Sequence, residues 1–556
     1  MMFSRAEASQ RIIDTPFQVC VIGGGATGSG CALDAALRGL KTVLLEGADF
    51  GSGASSASTK LIHGGLRYLQ QGFAQLDFGQ FRLVKTALRE RRTMMANAPH
   101  LSRTLRICVP CRSSWDLFYY RIGLKMYGWL SGNSRLSGSS FADRRASLAK
   151  MHRLRADGLQ GTVSYSDGQF DDARYSLALV QSAAQSGAEV LNHACVIGFE
   201  KNQSGKVIAA NVFDRLSGRS FKVNAQMFVN ATGAVSDHVR QLANPQAEPR
   251  LQPSKGVHIL LPLPGNFGVE ALLIPHTEDG RLIFAIPWMN RLLVGTTDTL
   301  CDPAGDMTVG RGEAEYLLRH LNRYVNPEFT LEEVVSATAG LRPLVRAGEF
   351  SQTKQISRDY EIEIQPESGL ISIMGGKWTV YRAMAEDTIN IVERQLQGRF
   401  TPCRTRSFRL WGAENEPDRL VEQLMKAYPI SLALAEHLVR KYGSLAPNVL
   451  EPFRENSDLL SPIADGALPV QAEVVYCVRH EMAASVEDIL ARRLGLQFFD
   501  WNTSLKAAPV VAAILAQELG WNRATEQDAL DEYVTLIRKL QEKIGLFDAA
   551  EERTAI

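Results

Sequence analysis

The sequence predicts an α/β fold in three parts: a doubly wound, dinucleotide-binding parallel sheet dispersed along the chain, an antiparallel β lobe, and a C-terminal all-α domain. Three observations carry that prediction. An apolar strand ending at Ile22 runs into Gly23, Gly25 and Gly28 and then a helix of small residues. A second strand, glycine turn and helix follow at 370–397. Between them the stretch 251–299 alternates apolar and polar residues, and beyond 400 the periodicity is helical.

The first unit has a physical explanation. At G-x-G-x-x-G spacing, a missing Cβ permits the tight turn, close approach of backbone to a pyrophosphate, and close packing of the helix on its strand. The helix N-terminus then offers free N–H groups and the positive end of its dipole to phosphate. Gly23, Gly25, Ala26, Thr27 and Gly28 are therefore the expected cradle. Gly39 closes the helix, and a strand at 42–45 ends in Glu46. An acidic residue about 20 positions after the first glycine meets the ribose hydroxyls and disfavours a 2′-phosphate, hence NADP. The fingerprint alone does not separate NAD from FAD.

Asp171 and Asp172 open a helical stretch that stops at Gly187, and 188–191 continues as a strand, a unit of the same doubly wound sheet. Extended runs at 207–214 and 220–223 read as a hairpin inserted as a crossover. The next strand ends in Ala231, Thr232 and Gly233, small residues at a carboxyl edge where backbone approaches a ligand. Residues 251–339 form the expected substrate lobe. The chain then returns to the cofactor sheet, with a strand at 370–374, Gly375 and Gly376 as a tight turn, and Lys377 and Trp378 opening a helix. The expected cofactor-binding parts are thus about 16–75, 160–250 and 340–400, all inside one region 1–400. A basic stretch at 401–406 reads as a linker to a helical domain, 401–556. In its last helix Thr525 and Asp528 stand at capping-box spacing, with Gly545 at the end.

Composition sets bounds. The chain has 556 residues, more than one core usually supports, with 61 basic against 60 acidic residues and a formal charge of +1. No global field recruits nucleic acid or an anionic membrane, so anion selectivity must come from a local cluster. Residues 1–16 lack the apolar core of a signal peptide, and no run reaches the roughly 18–20 uncharged apolar residues of a membrane span. Eight scattered cysteines suit reduced core thiols; the single C-x-x-C at Cys108 and Cys111 has no second ligand pair, which favours a chance spacing over a redox pair or metal half-site, and no metal is expected. Residues 115–130 are rich in aromatics and carry Arg121 and Lys125, which suits either a membrane-facing surface or a helix packed on its own domain.

The segments Ile22-Gly23-Gly24-Gly25-Ala26-Thr27-Gly28, Ser58-Thr59-Lys60-Leu61-Ile62-His63-Gly64-Gly65-Leu66-Arg67-Tyr68, Gly340-Leu341-Arg342-Pro343-Leu344, Ser357-Arg358-Asp359-Tyr360, Gly375-Gly376-Lys377-Trp378-Thr379 and Val478-Arg479-His480-Glu481-Met482-Ala483 resemble the FAD-dependent, quinone-linked glycerol-3-phosphate dehydrogenases. The second and the last of these runs are far more specific than the glycine fingerprint. Leu410-Trp411-Gly412-Ala413 departs from the family's more usual Pro-Gly-Gly turn, which touches the linker.

The resemblance implies a Rossmann-type FAD-binding domain and oxidation of sn-glycerol 3-phosphate to dihydroxyacetone phosphate. It implies electrons passed to membrane quinone from a cytoplasmic protein bound peripherally to the inner face of the membrane. Arg67, Tyr68, Arg342, Arg358 and Lys377 are the implied substrate-binding residues, and His258, Arg342 and Lys377 the implied catalytic ones. Ser58, Thr59, Lys60, His63, Gly64, Gly65, Gly375, Gly376, Lys377 and Trp378 join the glycine cradle, Glu46 and Ala231, Thr232 and Gly233 around FAD. The residue chemistry agrees in kind: a dianionic substrate calls for arginine's two-pronged donor, and a base near neutrality calls for histidine. Alternatives are a glycerol-3-phosphate oxidase using oxygen, an FAD oxidase of the amino acid oxidase type, and a flavin-loaded binding protein. A homodimer is expected only from the base rate of symmetric association.

Overall fold

The computed structural model describes residues 5–65, 78–132, 136, 138–302, 305–346, 360–396, 398, 400–414, 417–454 and 456–547. Arg67, Tyr68 and Arg358 lie outside these residues.

Four short apolar runs with parallel neighbours build the first sheet. Phe17–Ile22 pairs in parallel with Thr42–Leu45 on one side and Arg219–Asn230 on the other. Glu189–Leu191 and Ile371–Gly375 extend it in parallel, and Tyr360–Ile364 closes one edge antiparallel. Val19 and Val21 face the helices Ala26–Leu37, Asp172–Gln185 and Tyr381–Gln395, while Cys20 and Ile22 face the other layer, so the strand is apolar on both sides. The discontinuous α/β fold with helical C-terminus that the sequence predicts is the one observed.

Several local expectations need correction. The runs 220–223 and 228–230 are one strand, Arg219–Asn230, which pairs first with Val207–Asp214 and then, along its second half, with the central strand. The helix expected from Trp378 begins as a single 3₁₀ turn, Trp378–Val380, before Tyr381–Gln395. Asn522, not Thr525, caps the last helix, its side chain accepting from the Thr525 backbone N–H.

The second sheet has ten strands and starts earlier in the chain than expected. Besides strands between 254 and 342 it takes Leu61–Ile62, Ser102–Cys111, Ser140–Asp143 and Gly161–Phe170. Residues 161–170, expected in the cofactor part, are buried along their whole length although they include Thr162, Ser164, Ser166, Asp167 and Gln169. Buried polar residues erased the alternation that would have marked the strand. Cys108 and Cys111 both lie on Ser102–Cys111, three positions apart and so on opposite faces, and burial pushes both thiols up to about 12.

Each face of this sheet meets a different neighbour. Val257, Ile259 and Leu261 pack with helices Arg311–Asn322, Trp501–Leu519 and Arg523–Ile544; Leu260 on the alternate face packs with Tyr120, Leu124 and Tyr127 of Ser114–Leu130. On that helix Trp115, Phe118, Tyr119, Ile122 and Trp129 point outward, and Trp129 is 80% exposed. Among the described residues no helix is long and apolar enough to cross a membrane.

The C-terminal helices are fastened to the first sheet by buried ions. Arg174 holds Glu481 with two bonds of 2.7 and 2.8 Å. Arg493 reaches Asp49 with both terminal guanidinium nitrogens and the Glu481 carbonyl at 2.7 Å. Arg492 bridges Asp49 and Asp488, and Asp488 also meets His193 Nε2 at 3.0 Å. Asp49, His193 and Asp488 are ligand-type groups in close array, but guanidinium groups already hold the carboxylates.

Candidate active site

A cavity of about 840 Å³ lies along the carboxyl edge of the parallel sheet and under the second sheet. In strand order its wall passes Glu46, Gly23, Ala231 and Gly375, the residues that follow or end four parallel strands. Such an edge, where connections leave in opposite directions, is where α/β sheets take dinucleotides.

The glycine-rich turn after the first strand is tight. Gly23 has φ +106°, a backbone region that L side chains rarely adopt, and a Cβ there would meet the Ala231 carbonyl oxygen at 2.6 Å. A Cβ on Gly28 would lie 1.8 Å from the Gly23 carbonyl oxygen, so Gly28 serves helix-to-strand packing and does not line the cavity. Gly25, Ala26 and Thr27 at the helix start do line it. Ala26 N–H donates to Ser55 Oγ at 2.9 Å, a residue sequence reasoning missed.

Glu46 is held ready by two backbone donors, Gly24 N–H at 2.6 Å and Ala48 N–H at 2.8 Å. Burial raises its pKa and those two bonds oppose the rise. Acceptor lone pairs beyond these bonds suit ribose hydroxyls, so Glu46, the glycines and the helix start fit a dinucleotide.

The run from Ser58 divides. Ser58, Thr59, His63 and Gly65 line the cavity, whereas Lys60 and Gly64 do not. Lys60, with φ +59°, turns inward to bond Asp172 and, at 2.7 Å, the Ser56 carbonyl, with its Nζ 5.2 Å from the Phe498 ring. Ser58 donates to the same carboxylate by backbone and side chain, at 3.0 and 2.6 Å. Lys60 thus anchors the loop from behind. Trp378 Nε1 donates to the Ser55 carbonyl at 2.8 Å and its ring meets Phe170, Tyr175 and Tyr381 edge-on. Gly375, Gly376 and Lys377, together with Ala231, Thr232 and Gly233, complete this wall.

His258 and Arg342 enter from the second sheet, and two glycines make room for them. His258 lies opposite Gly295, where a Cβ would come within 2.2 Å of the His258 ring. A Cβ on Gly256 would come within 2.3 Å of the Arg342 guanidinium. A glycine inside a strand pattern was the signal that could have found this close approach. The guanidinium donates to Thr296 Oγ1 at 2.8 Å, the Thr297 carbonyl at 3.0 Å and Asp298 Oδ1 at 3.2 Å, partners the sequence did not suggest.

His258 is 2% exposed, its Nε2 is 2.9 Å from Thr59 Oγ1, and its Nδ1 has no partner among the described residues. Burial first, then the positive charges of Arg342 and Lys60, lower its pKa to about 3. The ring is therefore held neutral by its surroundings rather than poised near neutrality, as its residue type suggested. A bound dianion would oppose those two cations and raise the ring's basicity.

The comparisons fit this geometry. Residues 18–382 match the family model described as FAD dependent oxidoreductase, and 403–526 that of the C-terminal domain of alpha-glycerophosphate oxidase. A probable mitochondrial glycerol-3-phosphate dehydrogenase from Caenorhabditis elegans is 40% identical over 532 residues, 94% of this chain and 73% of that protein. The human mitochondrial glycerol-3-phosphate dehydrogenase is 38% identical over 97% of this chain and 75% of its own length. The glycerol-3-phosphate dehydrogenase of Bacillus halodurans, solved in complex with FAD, superposes with a TM-score of 0.80 at 28% identity and covers 98% of this chain and 99% of its own.

Proposed function

We propose, from the premise that this chain belongs to the FAD-dependent glycerol-3-phosphate dehydrogenases, that it oxidises sn-glycerol 3-phosphate to dihydroxyacetone phosphate and hands the electrons to a quinone in a membrane on which it lies. The observation that carries the substrate reading is the convergence of Arg342, Lys377 and His258 on the same cavity as the glycine cradle.

Bound FAD supplies the hydride acceptor, and the chain's residues do the rest. Glu46 and the Gly23–Thr27 turn would hold the dinucleotide, and Lys377 after the Gly375-Gly376 turn would favour negative charge on the bound group. Arg342 grips the substrate phosphate, with Lys377 and, from the sequence pattern, Arg67, Tyr68 and Arg358. His258, whose ring faces the cavity, would take the proton from the substrate hydroxyl, the oxidation of that secondary alcohol giving a ketone. The division near residue 400 into a flavin and substrate region and a helical domain belongs to the same reading, supported by the two family models ending and beginning on either side of it.

The membrane reading rests on the outer face of Ser114–Leu130. Trp115, Phe118, Tyr119, Ile122 and Trp129 share it with exposed Arg121 and Lys125, and Arg121 lies 5.1 Å over the ring of half-exposed Phe141. Leu124, one natural choice for a charged substitution, is only 1% exposed and belongs to the core. Aromatics with basic neighbours suit an interface in which rings enter the headgroup boundary and cations meet anionic lipid. Each aromatic so buried contributes about 1.5–3 kcal/mol. Phe118→Glu with Trp129→Glu should therefore lower retention on anionic vesicles at least about tenfold and abolish reduction of vesicle quinone, while dye-linked turnover persists. Equal retention by both proteins contradicts the surface, and peroxide formed in step with substrate oxidation contradicts the quinone.

A further inference from the structure

We propose that Tyr127 is a positioning residue for the reactive end of the cavity: its hydroxyl, held by the Asp167 carboxylate that Arg91 pairs with, fixes the turn of His63, Gly64 and Gly65. This rests on reading that end of the cavity as the place of the flavin ring.

The chain of bonds is short and buried. The Gly64 N–H donates to the Tyr127 oxygen at 2.7 Å, and the Tyr127 hydroxyl donates to Asp167 at 2.9 Å. The Arg91 guanidinium pairs with the same carboxylate. Arg91, Tyr127 and Asp167 are all 2% exposed or less. A backbone N–H can only donate and an ionised carboxylate can only accept, so the Tyr127 oxygen accepts from Gly64 while its one proton goes to Asp167. Burial raises the Asp167 pKa and the Arg91 charge opposes the rise, with a net value of about 6.

Gly64 has no freedom to drift. A Cβ at that position would meet Leu88 at 2.6 Å and the Tyr127 oxygen at 2.8 Å, so the backbone lies directly against both. Its neighbours His63 and Gly65 line the cavity, as do Asp167 and Tyr165, whose ring meets Tyr127 edge-on at 5.9 Å. Gly65 N–H turns back to His63 Nδ1 at 3.1 Å, and Thr379 Oγ1 donates to the His63 carbonyl at 3.3 Å. The turn is thus tied to the Lys377–Thr379 wall on one side and to Tyr127 on the other.

Tyr127 also lies on the inward face of Ser114–Leu130, opposite the exposed aromatics. Ser131 Oγ just beyond that helix donates to the Tyr127 carbonyl at 2.9 Å, and Arg92 donates to the Ser131 carbonyl at 2.7 Å. The element proposed to meet the bilayer outside is therefore the one that sets the turn inside.

The test compares full-length, FAD-loaded wild type with Tyr127→Phe, Arg91→Lys and Arg91→Met. Tyr127→Phe should keep its FAD but show a shifted visible flavin spectrum, with kcat lowered about tenfold, equivalent to about 1.4 kcal/mol, and a much smaller change in KM. Arg91→Lys should retain most of the wild-type kcat and spectrum, and Arg91→Met should reproduce the Tyr127→Phe defect. A Tyr127→Phe protein with wild-type spectrum and kcat overturns the positioning role. So does an Arg91→Lys protein as impaired as Arg91→Met. A wild type whose flavin glycerol 3-phosphate does not reduce overturns the functional reading itself, a separate failure.

Discussion

Arg342→Ala should lower kcat/KM for glycerol 3-phosphate by a factor of a few hundred or more. The guanidinium is placed by Thr296, Thr297 and Asp298 and by the missing side chain at Gly256, so it meets an incoming phosphate without reorganising. Truncating one partner of a desolvated, hydrogen-bonded charge pair costs about 2–5 kcal/mol, and every ~1.4 kcal/mol is tenfold in rate. FAD content should stay at the wild-type level, because the glycine cradle and Glu46 lie on the other sheet. Gly256→Ala is a second route to the same result. It keeps the charge but intrudes on the guanidinium, and should raise KM while sparing the cofactor. Unchanged kinetics in Arg342→Ala would remove this residue from the phosphate site.

Arg493→Met should be the most destabilising single change in the helical domain. It leaves Asp49 and the Glu481 carbonyl short of a donor inside a network where Arg493 is 1% exposed. Breaking a buried ion pair from one side costs about 3–5 kcal/mol, because the remaining charge stays buried. The exposed pair Arg311 and Glu315, with side chains 62% and 49% accessible, provides the contrast. Arg311→Ala should cost about 0–1 kcal/mol. The measurement is the thermal midpoint together with FAD retention. Asp49 belongs to the loop that carries Glu46: the His193 N–H bonds the Ala48 carbonyl at 2.6 Å and the Ala194 N–H bonds the Glu46 carbonyl at 2.7 Å. Arg493→Met should therefore shed FAD on heating before wild type does. Equal midpoints for Arg493→Met and Arg311→Ala would contradict this account of domain fastening.

What the sequence disclosed follows from which physical signals are local. The glycine turn was legible because Gly23, Gly25 and Gly28 sit within one turn of a strand-to-helix junction, and Gly23 and Gly28 each answer a backbone constraint while Gly25 leaves room for Ser55. Gly161–Phe170 was not, since its polar residues are buried and find partners through the tertiary fold, Asp167 with Tyr127 and Arg91 and Thr162 with Ser147, rather than being exposed in alternation. The Lys60 side chain could not be foreseen turning away from the cavity, because its partner Asp172 is distant in sequence and only the tertiary fold brings it there. The same holds for Arg493 and Asp49. The cap on the last helix failed for a smaller reason: Asn522 and Thr525 are both good caps three residues apart, and only backbone geometry chooses between them. Arg67, Tyr68 and Arg358 lie outside the described residues, so their part in the phosphate site stands on the sequence pattern.

The most direct measurement is the visible absorbance of the purified, FAD-loaded protein before and after anaerobic addition of glycerol 3-phosphate. Hydride transfer in this cavity predicts that the oxidised flavin band bleaches within the mixing and turnover time, that dihydroxyacetone phosphate appears in equal amount, and that added quinone restores the band. A flavin band that persists at saturating glycerol 3-phosphate would contradict the assignment of the cavity as a glycerol-3-phosphate dehydrogenase site.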